Sequence, residues 1–112
     1  MKFDFLSREG KQAIVAAQKL ARSRDQEEVE LEHLLVALVD TPSTAKLLEG
    51  AGGDLNGLRK RLDQAISGFR RSPGAAVFLG ERMLRLLDIS QVEAQERGAD
   101  RVGPEHLLFG IP

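Results

Sequence analysis

The chain contains no cysteine, no tryptophan and no tyrosine. Without cysteine there is no disulfide, no thiol nucleophile and no thiolate ligand for zinc, and a reducing compartment suits such a chain. Five phenylalanines are the only aromatics, so platforms for stacking nucleic-acid bases are not expected. An excess of charge of one sign is also lacking. Sixteen Lys and Arg stand against 17 Asp and Glu, for a formal net charge of −1, which gives no electrostatic footprint for nucleic acid or an anionic membrane. No apolar run approaches the roughly 20 residues of a membrane span. The opening Met1-Lys2-Phe3-Asp4-Phe5 is not the apolar core of a signal peptide, and a cytoplasmic location is expected. There is no G-x-x-x-x-G-K-[ST] for nucleotide phosphates and no Ser/His/Asp arrangement, so the chain is not expected to be an enzyme.

What is present is a repeat. Glu32-His33-Leu34-Leu35 returns as Glu105-His106-Leu107-Leu108, and at that constant offset of 73 residues 5–38 align with 78–111 without a gap. Ten of the 34 pairs are identical, among them Phe5/Phe78, Leu6/Leu79, Gln18/Gln91, Ala21/Ala94 and Val29/Val102. One such unit cannot bury its own apolar face and needs its twin as cover. The expected organisation is one domain with a first repeat at 5–70, a linker at 71–77 and a partial second repeat at 78–112. The linker carries Arg71, Pro73 and Gly74, residues that punctuate periodic segments.

The apolar periodicity predicts helices throughout, and nothing reads as a strand. Ser7 suits the cap of a helix to about Arg22, with Ala13, Ile14, Ala17 and Ala21 on one stripe. A short helix near Leu31 to Val39 follows, then one near Ser43 to Glu49 after Pro42. Asp54 is placed to cap a fourth, striped by Leu55, Leu58, Leu62, Ile66 and Phe69. A fifth should span about Gly80 to Arg97, with Met83, Leu86, Leu87, Ser90 and Ala94 replacing Gly10, Ala13, Ile14, Ala17 and Ala21 of the first. Gly103-Pro104 starts a sixth, proline being tolerated where its missing donor is not needed. The fold class is all-α, a duplicated helical repeat.

Three features bear on function. Glu32 and Glu105 each fall in the first turn of a short helix, where a carboxylate complements the helix dipole; a partly exposed one there could also meet a basic or amide group on a bound peptide. His33 and His106 invite a metal hypothesis, but neighbouring helical residues point about 100° apart and neither site offers a second His one turn away. The reading favoured for both is a histidine packed between repeats with one ring nitrogen bonded to backbone. The third feature is an asymmetry: Lys11, Ala16 and Lys19 become Leu84, Ile89 and Val92 in the second copy. Packing against neighbouring helices is the expectation for that extra apolar face, with an exposed partner groove as the alternative. The basic runs Arg59-Lys60-Arg61 and Arg70-Arg71 read as solvated helix surface.

The duplicated Val-x-x-Glu-His-Leu-Leu, the helix start at Phe5-Leu6-Ser7 and the Leu58-Arg59-x-x-Leu62 helix after Gly53-Asp54 resemble the N-terminal domain of the Clp ATPases. Gln12-Ala13-Ile14 and Ala17-Gln18-Lys19-Leu20-Ala21, with the opening Met1-Lys2-Phe3-Asp4, are most similar to the ClpB-type disaggregases. The resemblance covers the whole chain and implies a double four-helix repeat, here with the second repeat ending after its second helix. It implies a non-catalytic domain ahead of a hexameric AAA+ ring, with no cofactor of its own and with ATP used by downstream modules. Its partners would be unfolded or aggregated polypeptide, or an adaptor protein, with neither nucleic acid nor membrane. Carried over residue by residue, Ser7 and Glu105 match the polar lip of an apolar groove and Ile89 a groove position. Glu32 is the twin of Glu105; in ClpC relatives such paired glutamates help to hold phosphoarginine, with Gly-Thr before each where this chain has Glu30-Leu31 and Gly103-Pro104. Faces left bare by the short second repeat are expected to be covered by self-association, swapping or rearrangement of the last helix. Alternative readings are a ClpV-like domain gripping one helix of a contractile-sheath protein, suggested by Val29-Glu30-Leu31-Glu32-His33 and Gly68-Phe69-Arg70, and a free-standing adaptor.

Overall fold

The Ser7 hydroxyl accepts a hydrogen bond from the Gly10 backbone N–H at 3.0 Å and so opens α1 (Arg8–Ser23), satisfying one of the orphan donors of a helix start. The computed structural model describes residues 3–111; Met1 and Lys2 of the opening, and Pro112 at the end of the second repeat, lie outside the described residues. After α1 come β1 (Glu28–Val29), α2 (Leu31–Val39), α3 (Pro42–Gly50), α4 (Leu55–Ser67), β2 (Phe78–Leu79), α5 (Glu81–Glu96) and α6 (Pro104–Gly110). Pro42 and Pro104 both stand in the first turn of their helices. Asp54 occupies the position before α4, but its side chain makes no capping hydrogen bond, which corrects the role expected of it.

The two short strands were not expected from the sequence. They pair in parallel, Glu28 with Phe78 and Val29 with Leu79, and an isolated parallel bridge joins Leu6 to Val102. At the offset of 73, Leu6 is the twin of Leu79 and Val102 the twin of Val29. The segment entering the first helix of each copy therefore pairs with the segment entering the second helix of the other. The bonds repeat as well: Ser7 N–H donates to the Val102 carbonyl at 2.8 Å and Gly80 N–H to the Val29 carbonyl at 3.0 Å. Two-residue strands show no period of two to read, and the partners that fix them lie far apart in sequence.

Both first helices end in the same way. Asp25 and Gly98 take positive φ, 57° and 72°, and the next residue closes the turn: Gln26 N–H to the Ala21 carbonyl and Ala99 N–H to the Ala94 carbonyl, each at 2.9 Å. This is the 6→1 bond of a Schellman motif, with the left-handed residue just past the helix.

The core forms between the copies. Ala13, Ile14, Ala17 and Ala21 of α1 and Met83, Leu86, Leu87 and Ala94 of α5 are buried in one cluster with Val29, Leu34, Leu38, Val102 and Leu107. The predicted stripes are the buried stripes. A second cluster lies within the first copy alone, where Val36 and Val39 of α2 meet Leu62 and Ile66 of α4. In the second copy α6 packs on α5 as α2 packs on α1, and Phe109, the twin of Val36, is 40% exposed beneath the Arg97 guanidinium, 4.3 Å from its ring centre.

Candidate functional site

The repeated histidines are architectural. In each short helix the imidazole Nδ1 accepts a hydrogen bond from the backbone N–H three residues earlier, Glu30 to His33 and Gly103 to His106, both at 2.9 Å. That bond satisfies a donor at the helix start and fixes the His33 proton on Nε2. Nε2–H then donates to Gln26 Oε1 at 2.7 Å, and the Gln26 amide donates to the Ile66 carbonyl at 2.6 Å. The Phe69 ring meets His33 edge-on with centroids 5.7 Å apart. Burial pushes the His33 pKa down; Glu32 opposes that shift and Arg24 adds to it, so the ring is neutral near pH 7. In the second copy Ala99 stands where Gln26 does in the first and offers no amide to His106. Among the described residues no group of three or more His, Asp or Glu could hold a metal ion.

The four residues named for binding fall into two pairs. Ser7 and Glu105 flank Val102-Gly103: Ser7 bonds to the Val102 carbonyl, and Glu105 lies in the first turn of α6. The Glu105 carboxylate is 3.4 Å from His106 Nδ1, but that nitrogen accepts the Gly103 N–H and carries no proton to share. The carboxylate, its side chain 39% exposed, has no other partner among the described residues. Glu32 and Ile89 form the other pair, linked through Arg82. Glu32 lies in the first turn of α2, its side chain 24% exposed and 4.0 Å from the Arg82 guanidinium. That is an ion pair too long to be a hydrogen bond, and Glu32 Oε1, itself buried, has no hydrogen-bond partner among the described residues. Glu28 and Glu30 crowd the same end of α5, both within 3.0 Å of where a Cβ on Gly80 would stand. Burial, with Glu28 and Glu32 nearby, holds the Glu30 carboxyl above the usual carboxylate range against the pull of Arg82.

Ile89 corrects the packing expectation. It is 48% exposed, with Leu84 at 40% and Val92 at 52%, so the apolar face peculiar to α5 is surface. Ile89 borders a cavity of about 250 Å³ lined also by Leu31, Leu86, Arg82, Arg85 and Gly110. Gly110 makes the approach of α6 to α5 possible, because a Cβ there would stand 2.9 Å from a Leu86 methyl and 3.0 Å from the Ser90 hydroxyl. The floor is apolar and two guanidinium groups stand at its edge. Sequence reasoning missed Arg82 and Leu31, because their meeting depends on α2 of one copy lying against α5 of the other. The signal was present in the offset, since Arg82 reverses the charge of its twin Glu9.

Residues 6–112 match the Clp repeat (R) N-terminal domain family. The chain is 33% identical over 103 residues to the chaperone protein ClpB of Gloeobacter violaceus, covering 88% of this chain and 12% of that protein. To a ClpA homolog protein of Fuscovulum blasticum it is 45% identical over 111 residues, covering 89% of this chain and 13% of that protein. It thus spans about an eighth of the length of these relatives. Among solved structures it is similar to the Hsp104 N-terminal domain of Candida albicans, at a TM-score of 0.86 and 15% identity over 96% of this chain and 73% of that one. The N-terminal domain of the ClpV1 ATPase of Escherichia coli gives 0.85 and 22% over 96% and 68%. These likenesses show the fold, whose pairing across two offset copies is described above, and the family match rests on nearly the whole sequence. The chain belongs to the Clp repeat N-terminal domain family, the N-terminal part of Clp ATPases.

Proposed function

We propose that this chain is a non-catalytic recognition domain of a ClpB-like ATP-dependent disaggregase, and that it takes unfolded or aggregated polypeptide, or an adaptor, onto the α5 surface around Ile89. The observation that carries this reading is Ile89 itself. A half-exposed isoleucine beside an apolar cavity, at a position where the first copy has Ala16, leaves about half of its surface in water although one methyl reaches Gly110 of α6, and exposed apolar patches with polar rims suit protein partners. Arg82 and Arg85 at the cavity edge and Glu32 behind Arg82 supply the polar rim. Ser7 and Glu105 make a second polar contact region at the start of α1. ATP would serve the ATPase modules that follow such a domain, and the hexamer would be theirs.

The test is the binding of a fluorescently labelled, permanently unfolded polypeptide to Ile89→Asp. Weak, salt-tolerant binding by the parent chain and its loss in the variant are expected; undiminished binding by the variant removes the groove. A single helical peptide bound tightly, with no affinity for unfolded chains, favours the ClpV-like alternative, whose sequence support is Val29-Glu30-Leu31-Glu32-His33 and Gly68-Phe69-Arg70.

A further inference from the structure

Arg8 and Glu81 hold twin positions at the starts of α1 and α5, and Arg101 and Glu28 hold twin positions on the segments beside them. One place in the repeat thus carries opposite charge in the two copies. On the α1 side lies a groove of about 640 Å³, lined by Leu6, Arg8, Lys11, Val15, Lys19 and Arg101 among others, with no acidic residue in its wall. Four cations frame an apolar strip made by Val15 and Ala16, both exposed. On the α5 side Leu84 and Val92 stand out from the surface with the exposed Asp88 between them. Their spacing of four places them on one helical ridge. Arg85 turns back to Glu81 at 2.6 Å with both still exposed. With Asp88, Glu28 and Glu96, the next residue along the ridge, also exposed, acids outnumber the one arginine on this face.

We propose that the α5 ridge of one copy docks in the α1 groove of a second copy. Leu84 and Val92 match the Val15 and Ala16 strip, and Asp88 and Glu28 face the lysines and arginines that line the groove. Charge complementarity selects a second copy as the occupant, because the chain itself carries both an apolar ridge with acidic flanks and a basic groove with an apolar floor. A net charge of −1 sets up no general repulsion between copies. Each molecule offers one ridge and one groove, so the contact is heterologous and extends head to tail. The inference is independent of polypeptide binding at Ile89.

Sedimentation velocity on the full chain over a concentration series tests it. The weight-average mass should rise with concentration at about 50 mM salt and return to that of the monomer near 0.5 M, where screening confines charge interactions to a few ångströms. Val15→Lys/Ala16→Lys, which blocks the floor of the groove with further cations, and Asp88→Lys/Val92→Lys, which spoils the ridge, should each be monomeric with unchanged helical circular dichroism. Mixed together, they should form one-to-one pairs and stop at two, because only one intact ridge and one intact groove remain to meet. A wild-type chain that stays monomeric throughout overturns the proposal. So does a groove variant that still self-associates, which would indicate pairing of α5 with α5, or a mixture of folded variants that forms no pairs.

Discussion

Where the first copy carries Gly10 the second carries Met83, both buried at the same point of their first helices. In the first copy the helix runs so close to the other unit that a Cβ at Gly10 would lie 2.5 Å from the Val102 carbonyl oxygen. In the second, the thioether fills the shared core. A similar exchange separates Gln26 from Ala99: one copy ties its histidine into a buried polar chain reaching α4, and the other leaves that amide out. The outer faces diverge further, with Lys11, Ala16 and Lys19 against Leu84, Ile89 and Val92. A duplicated backbone thus keeps its histidine caps, turns and cross-pairing while filling, polarity and charge drift apart. The Ser7 cap of α1 gives way to Gly80, which has no side chain to cap α5.

Substitutions at twin positions break this comparison most sharply in the core. Met83→Ala should destabilise by about 2–5 kcal/mol through the cavity it leaves. Gly10→Ala adds a single methyl and should still cost about 2 kcal/mol, because the obstructing atom is backbone carbonyl and cannot swing away. Urea denaturation of both variants checks the pair; a neutral Gly10→Ala would show that α1 can shift freely against the second copy. Next in size, Gln26→Ala should cost about 1–3 kcal/mol, since it strands His33 Nε2–H in a buried site, while the Ile66 carbonyl keeps the Phe69 N–H at 3.1 Å. Ala99→Gln, its mirror, gains nothing comparable, because no α4 lies over the second copy among the described residues to accept the new amide.

The same network gives stability a pH dependence of defined sign. His33 has a folded pKa below its ordinary value of 6.5, so between the two values the unfolded chain binds a proton that the folded chain does not. Its contribution is complete above about pH 6.5 and is lost as pH falls through the folded pKa. Glu30, with a raised pKa, acts in the opposite direction, favouring the folded chain as pH falls. His33→Gln is therefore the control: urea midpoints of the parent should drop between pH 7.5 and 5.5, and those of the variant should drop less. The smallest effects belong to the helix ends. Asp25→Gly should stabilise and Gly98→Ala destabilise, each by about 1 kcal/mol, since both residues sit in the left-handed region that a Cβ disfavours. Thermal melts read both; equal signs would mean that the two turns are not equivalent.

Much of this architecture was legible because helical caps and apolar stripes are local. Ser7, Pro42 and Pro104 marked helix starts, and the stripe of α1 transferred by offset to every buried position of α5. The strands were hidden for the opposite reason: their stability comes from pairing Val29 with Leu79 and Leu6 with Val102, contacts that no window of sequence contains. The histidine bond to backbone followed from the spacing of two His residues that could not share a metal, whereas Gln26 gave no local sign of reaching both His33 and Ile66. The site was half legible. Ile89 stood out once the copies were aligned, but its exposure, and the Arg82 and Leu31 beside it, needed the packing of one copy on the other.

Polypeptide recognition is proposed on one copy of a duplicated scaffold, and the twin residues Ile89 and Ala16 test that directly. Both are exposed on the outer faces of their helices, so an aspartate at either leaves the core untouched. Titration of a labelled unfolded polypeptide should show that Ile89→Asp abolishes binding while Ala16→Asp binds as the parent does. Loss in Ala16→Asp with retention in Ile89→Asp, or equal loss in both, would contradict a binding surface specific to the second copy.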